Sequence, residues 1–183
     1  MEAQRNQDPY GLVHVAAHGI FNSDNPKDSF IALSEGELTF SDFQNLKLNA
    51  PPIELLVLSA CQTSLGNESA ELGIAGYAHR LGVKSVLGSL WEVNDLATLG
   101  LMTKFYSELR RNNVIKAEAL RRAQLAMSRG QAYIQNGRLY GIGLENTELE
   151  NGIPLAPEFA EIDYRELSHP HYWAGFTIVG NPW

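Results

Sequence analysis

Two side chains that can do nucleophilic chemistry follow apolar segments of this 183-residue chain. His18 comes directly after the apolar residues 12–17, and Cys61 comes three residues after the end of the apolar residues 53–58. A thiol becomes a strong nucleophile when it loses its proton, and a neighbouring imidazole can take or hold that proton. His18 and Cys61 therefore form a candidate catalytic dyad if the fold brings the two segments together.

A dyad of this kind needs hydrogen-bond donors for the negatively charged oxygen that forms when a carbonyl is attacked. The backbone N–H groups of Gly19 and Cys61 are the candidates for this oxyanion hole. A second interpretation stays open on the residues alone, because a lone cysteine at a strand end is more often a small core side chain. His14 lies four residues before His18, on the same face of an extended strand, and we interpret it as structural.

Short apolar runs predict the strands that would position the dyad. Each run is rich in β-branched residues and apolar on both faces, as in the buried strands of a parallel sheet. The runs cover residues 12–17, 53–58 and 83–91, and a fourth closes the chain at 173–180. Neighbouring parallel strands lie about 4.8 Å apart, so their carboxyl ends would place His18 and Cys61 on one rim of the sheet.

Helical patterns alternate with these strands. Apolar residues recur with helical spacing over residues 71–81, 96–110 and 115–129. Gly82 is placed to end the first of these helices, and Asp95 to begin the second. Strand–helix alternation predicts an α/β sandwich.

Residues 131–166 differ from the rest of the chain. They are interspersed with Gly, Asn and Pro, show little periodicity, and are interpreted as a long excursion from the fold. Between Glu145 and Glu166 there are seven acidic residues and one basic residue, so this stretch carries most of the net charge of −7. The simplest interpretation of the acidic stretch is a solvated loop.

Composition excludes several classes of protein. The sequence has no apolar run long enough to span a membrane and no apolar signal-peptide core at its start, so a membrane association is not expected. A single cysteine rules out an internal disulfide and a zinc site built on paired cysteines, which together with the preceding features favours the cytoplasm. Nucleic acid is not an expected partner because no basic cluster is interleaved with aromatic residues. A nucleotide-binding α/β domain would need a Gly-rich loop, which the sequence lacks.

Four segments, in order, look like the signatures of the CHAT domain family. They are HVAAHG at 14–19, LSACQT at 58–63, GSLWEVND at 88–95 and HPHYWA at 169–174, and LMTKFYSEL at 101–109 also fits after the third. The resemblance covers residue 11 to the C-terminus except most of 131–166. Four ordered motifs are a much more specific signal than any one of them.

The resemblance implies a fold and an activity. CHAT domains resemble caspases and separases, whose fold is an α/β/α sandwich with a mostly parallel sheet, and they usually accompany tetratricopeptide repeats. Members studied as enzymes are proteases with a His–Cys dyad, which corresponds here to His18 and Cys61. The implied function is a cysteine endopeptidase that needs no metal or organic cofactor and acts on a protein substrate, with a tetratricopeptide-repeat or other regulatory protein as a partner.

Asp95 is the candidate substrate-binding residue. It follows the third predicted strand, where caspase-like peptidases build the pocket for the residue before the scissile bond, and separases, which prefer arginine there, carry a similar segment. A carboxylate in that pocket would pair with a basic side chain, a contact of about 1.5–3 kcal/mol. The alternative is that Asp95 only caps the helix that it precedes.

The sequence also departs from the family pattern. Ser64 stands where the family usually has glycine, which affects a loop, and about ten residues precede the His18 strand where a complete caspase-like sheet has two strands. We therefore expect residues 1–183 to form one CHAT-type domain that lacks those two strands, with 131–166 as a variable acidic excursion. The rival function is a non-catalytic interaction module or an inactive fragment of a CHAT protease.

Overall fold

The structure is a computed structural model, and it describes residues 11–17, 19–20, 25, 28–46, 48–49, 51–59, 69–141 and 151–183. The chain forms two compact units. The first comprises Met1–Glu92 with Gly175–Pro182, and the second comprises Val93–Ala174 with Trp183.

The elements are numbered in chain order. The strands are β1 (Leu12–Val15), β2 (Gly19–Ile20), β3 (Phe30–Leu33), β4 (Gly36–Thr39), β5 (Leu55–Leu58), β6 (Ser85–Ser89), β7 (Tyr133–Gln135), β8 (Arg138–Tyr140), β9 (Ile153–Pro154), β10 (Tyr164–Glu166) and β11 (Phe176–Gly180). The α-helices are α1 (Phe40–Asn45), α2 (Ser69–Arg80), α3 (Asp95–Leu109) and α4 (Lys116–Ser128). Short 3₁₀ helices occupy Pro157–Phe159 and Pro170–Tyr172.

The main sheet of the first unit has the order β1-β5-β6-β11. β1, β5 and β6 are parallel neighbours, and β11 pairs antiparallel with β6. All residues of β5 and β6 are buried, as expected for central strands covered on both faces, whereas β1 alternates between exposed and half-buried residues. The four predicted strands are thus confirmed, each a few residues shorter than its apolar run. The chain is a mixed α/β protein with a mostly parallel sheet.

The core of the first unit lies between this sheet and α2. Ile74 and Ala78 of α2 are buried in one cluster with Leu56, Leu58 and Val86 of the sheet. α2 ends as the sequence predicts, because Gly82 adopts a φ of +104°, which side-chain-bearing residues rarely adopt. A Cβ at this position would also lie 2.5 Å from the Cβ of Asn49.

A second, three-stranded antiparallel sheet of order β2-β3-β4 leads into α1, and the sequence patterns predict neither. Thr39 and Asp42 cap the start of α1. The Thr39 N–H donates to Asp42 Oδ2 at 2.9 Å, and the Asp42 N–H donates to Thr39 Oγ1 at 3.3 Å. The hydrogen bonds from the Thr39 side chain and backbone hold the pKa of Asp42 below its usual value. The pair is a capping box in which an aspartate takes the usual place of glutamate.

The second unit pairs a helical hairpin, α3 and α4, with a four-stranded antiparallel sheet of order β10-β7-β8-β9. The sequence patterns assign no strand to residues 131–166, yet this stretch supplies all four strands. Asn136 and Gly137 join β7 to β8 with φ values of +48° and +66°, which is the two-residue turn that Asn-Gly favours in hairpins. One face of this sheet is buried against the helices, since a Cβ on Gly100 of α3 would touch Leu139 and Leu167.

Candidate functional site

The two strands that precede the candidate dyad are adjacent and parallel. The register pairs Val15 at the end of β1 with Leu58 at the end of β5. His18 and Cys61 each come three residues after this pair in the chain. Both residues lie outside the part of the chain that the structure describes. The predicted pairing of their strands is confirmed, and the dyad itself stays a prediction.

A second feature of the rim is the turn that follows β6, whose carboxyl end lies beside that of β5. The Ser89 hydroxyl donates to the Trp91 carbonyl at 2.8 Å, and the Leu90 N–H donates to the Gly175 carbonyl at 2.9 Å. A Cβ on Gly175 would lie 2.8 Å from both Ser89 Oγ and a ring carbon of Trp91. Close packing against the residue before β11 therefore fixes this turn at the carboxyl end of β6. The sequence patterns did not indicate these roles of Ser89 and Gly175.

His14 and Ser59 connect the two strands just before the candidate dyad. His14 Nε2 lies 2.7 Å from Ser59 Oγ, and the Ser59 N–H donates to the Val15 carbonyl at 3.2 Å. Ser59 is buried, and His14 as a whole residue is exposed, but partial desolvation of its ring lowers the pKa of His14 below 6.5. The interpretation of His14 as a structural residue agrees with this contact. Ser59 was missed, and the signal for it was a hydroxyl residue directly after a fully apolar strand.

We predict that His14 makes the stability of the chain depend on pH in mildly acidic solution. Its native pKa is lowered, so as pH falls below about 6.5 the unfolded chain takes up a proton more readily than the native chain. The stability that neutral His14 supports is therefore present above pH 6.5 and is lost as pH falls through the lower native pKa. Urea unfolding of wild type and His14→Gln between pH 7.5 and 5 tests this, with exposed His171→Gln as control. An equally steep loss of stability in His14→Gln would contradict the prediction.

Gly19 and Asp95 are the other predicted site residues. Gly19 is buried at the start of β2, where it pairs with Ile31, and its part in an oxyanion hole stays a prediction. Asp95 belongs to the second unit and is the exposed first residue of α3. The cap of α3 is Asn94, whose side chain accepts a hydrogen bond from the Ala97 N–H at 3.2 Å. The alternative that Asp95 serves as the cap is therefore wrong.

Within the described ranges, no group of three or more His, Cys, Asp or Glu side chains is placed to hold a metal ion. None of the helices in those ranges is both long and apolar enough to cross a membrane.

Comparison with known proteins finds no curated protein that matches this chain. Comparison with protein families matches residues 1–181 to the CHAT domain. The match is longer than the motifs indicated, because it includes residues 131–166 and the residues before Gly11. The match spans nearly the whole chain, and CHAT domains form a caspase-like peptidase family. The chain belongs to the CHAT domain family.

Proposed function

We propose that this chain is a cysteine endopeptidase domain with a caspase-like α/β/α sandwich fold and a His18–Cys61 dyad. The Cys61 thiolate attacks the carbonyl carbon of the scissile peptide bond, and the N–H groups of Gly19 and Cys61 hold the resulting oxyanion. His18 protonates the departing amine, which leaves a thioester on Cys61. Water then attacks the thioester with His18 as the base, and the acid product and free thiol are released.

The observation that carries this proposal is the register of β1 and β5. Because Val15 pairs with Leu58, the residues that match the two catalytic positions of the family follow adjacent strands at equal distances in the chain. The contact between His14 Nε2 and Ser59 Oγ, at 2.7 Å, links these strands just before the positions of the proposed dyad. A dyad needs both side chains on one rim, and the pairing of their strands as parallel neighbours supports that arrangement.

We further propose that Asp95 makes the enzyme prefer a basic residue before the scissile bond. Asn94 already supplies the helix cap, so the exposed carboxylate of Asp95 is not needed for it. The carboxylate would accept charge-assisted hydrogen bonds from the guanidinium of an arginine. Hydrogen bonds of this kind are stronger than those between neutral groups.

We expect a fluorescent peptide with arginine before a thiol-reactive ketone to label the chain at Cys61. Cys61 is the only cysteine, so the labelled residue is unambiguous and Cys61→Ala serves as the blank. A contact of about 1.5–3 kcal/mol predicts labelling about 10- to 150-fold faster than with leucine in place of arginine. Asp95→Asn should reduce that ratio towards one, whereas Glu92→Gln, which removes an exposed carboxylate from the same segment, should leave it unchanged.

Two results would count against the proposal. The first is that the arginine and leucine probes label the folded chain at equal rates, and no faster than they label the chain unfolded in urea. Cys61 would then be an ordinary thiol, which would favour a non-catalytic interaction module. An arginine preference that survives in Asp95→Asn would retain the peptidase and remove Asp95 from the pocket.

A further inference from the structure

The four-stranded sheet of the second unit has two different faces. Ile134 of β7 and Leu139 of β8 are fully buried on one face. Because side chains alternate along a strand, their neighbours Tyr133 and Tyr140 lie on the other face, and the register places Tyr164 of β10 there as well. We call Tyr133, Tyr140 and Tyr164 the tyrosine face.

The three rings form one continuous aromatic surface. The Tyr133 and Tyr140 rings stack across β7 and β8 with centroids 5.4 Å apart and planes 13° apart. The Tyr164 ring is tilted towards Tyr133 with centroids 6.1 Å apart. Gly152 lets the Tyr140 ring lie close to the neighbouring backbone, since a Cβ there would be 2.9 Å from the ring. Tyr164 is 63% exposed, so the outer end of this surface is open to solvent.

The stretch of chain that contains Tyr164 is acidic. Residues 157–166 contain Glu158, Glu161, Asp163 and Glu166, all exposed, against one basic residue. Glu166 pairs in register with Tyr133 and so lies on the tyrosine face beside it. Among the residues that the structure describes, none of these four carboxylates takes part in an ion pair. Arg138 of β8 also lies on the tyrosine face, since it pairs in register with Gln135. Its guanidinium donates to the backbone carbonyls of Asn151 and Gly152 and not to a carboxylate of this stretch.

We propose that the tyrosine face binds an arginine-rich segment of a partner protein. A guanidinium group stacks on aromatic rings and at the same time donates hydrogen bonds to a carboxylate, which matches rings and Glu166 side by side. Charge complementarity selects a basic partner over a second copy of this chain, because each copy carries −7 and would bring acidic residues onto an acidic surface. The proposal is independent of the peptidase activity.

The test measures binding of a fluorescent peptide of alternating arginine and glycine to the full chain by anisotropy. We expect saturable binding that weakens with added salt, since exposed charges are screened. Tyr164→Leu should raise Kd about two- to fivefold, as the loss of an exposed cation–π contact predicts, whereas Tyr164→Phe should keep wild-type affinity because it keeps the ring. Glu166→Gln should also raise Kd, while Glu35→Gln, which removes an exposed carboxylate at the β3–β4 turn, should not.

Each remaining outcome overturns the proposal. Equal weakening by Glu35→Gln and Glu166→Gln with no effect of Tyr164→Leu would show only general attraction to an acidic protein. Equally tight binding of a neutral, tyrosine-rich peptide would remove arginine as the recognised group. Sedimentation that shows self-association abolished by Tyr164→Leu would assign the face to a second copy. Tyr164 is exposed, so its variants should melt like wild type, and melting curves check that the comparison is between folded chains.

Discussion

Cys61→Ala and His18→Ala should each reduce hydrolysis of an arginine-containing fluorogenic peptide by at least about 10²-fold. Removal of the thiol removes the nucleophile, and loss of the imidazole removes both proton transfers of the reaction, a contribution of about 10²–10⁴-fold. Residues that act as one unit give non-additive losses, so the double variant should be no worse than the poorer single variant. Initial rates with excess substrate, for wild type and the three variants, measure this.

The controls separate loss of chemistry from loss of structure. Cys61→Ala should melt within a few degrees of wild type if its only large effect is on the reaction. Ser59→Ala removes the partner of His14 at the end of β5, and it should lower the rate less than either dyad variant because it leaves both reacting groups in place. Wild-type turnover that persists in Cys61→Ala would exclude the proposed mechanism.

The second large effect concerns stability, and it centres on Glu108. This carboxylate is only 4% exposed, and it pairs with Lys104 at 2.7 Å, Arg122 at 3.2 Å and Arg111 at 3.3 Å. Glu108→Gln should lower the free energy of unfolding by about 2–3 kcal/mol. Breaking a buried ion pair typically costs about 3–5 kcal/mol, and the value here is lower because Arg111 and Arg122 can turn towards water.

The pH dependence of this effect has a definite sign. Burial alone would raise the pKa of Glu108, but hydrogen bonds from Lys104 and Arg122 outweigh it and hold the pKa below its usual value. A lowered native pKa means that the stabilisation is present above the usual glutamate pKa and is lost as pH falls through the native one. The difference between wild type and Glu108→Gln should therefore be largest near neutral pH and shrink in acid, as urea unfolding at several pH values will measure.

Glu118 is a matched control for Glu108. It also pairs with two arginines, Arg121 at 2.6 Å and Arg122 at 2.7 Å, and these hydrogen bonds lower its pKa to about 2. Its pairs lie at the surface, where solvent and salt screen them, so Glu118→Gln should cost much less than Glu108→Gln. Equal losses for the two variants would show that burial is not what makes Glu108 important.

The elements that could be predicted from the sequence are those with strong local signals. Residues 53–58 and 83–91 are apolar on both faces, and they became the fully buried strands β5 and β6. The helices α2, α3 and α4 were predicted to within two residues at their ends because their apolar residues follow the helical period. Two other signals were present and not used: Asn136-Gly137, which marks the β7–β8 hairpin, and the spacing of Thr39 and Asp42, which marks the start of α1.

Local patterns alone thus identified the strands of the main sheet and named the candidate dyad, because each depends on residues close together in the chain. Contacts between distant residues decided the rest. His14 meets Ser59, 45 residues away in the chain, because β1 and β5 pair in one particular register, and the buried Glu108 pairs with the partly exposed Arg122 because α3 packs against α4. The tyrosine face exists because three strands align their tyrosines on one side. Such contacts depend on register and packing angle, and a slip of one residue in a strand would turn each of its side chains to the opposite face of the sheet.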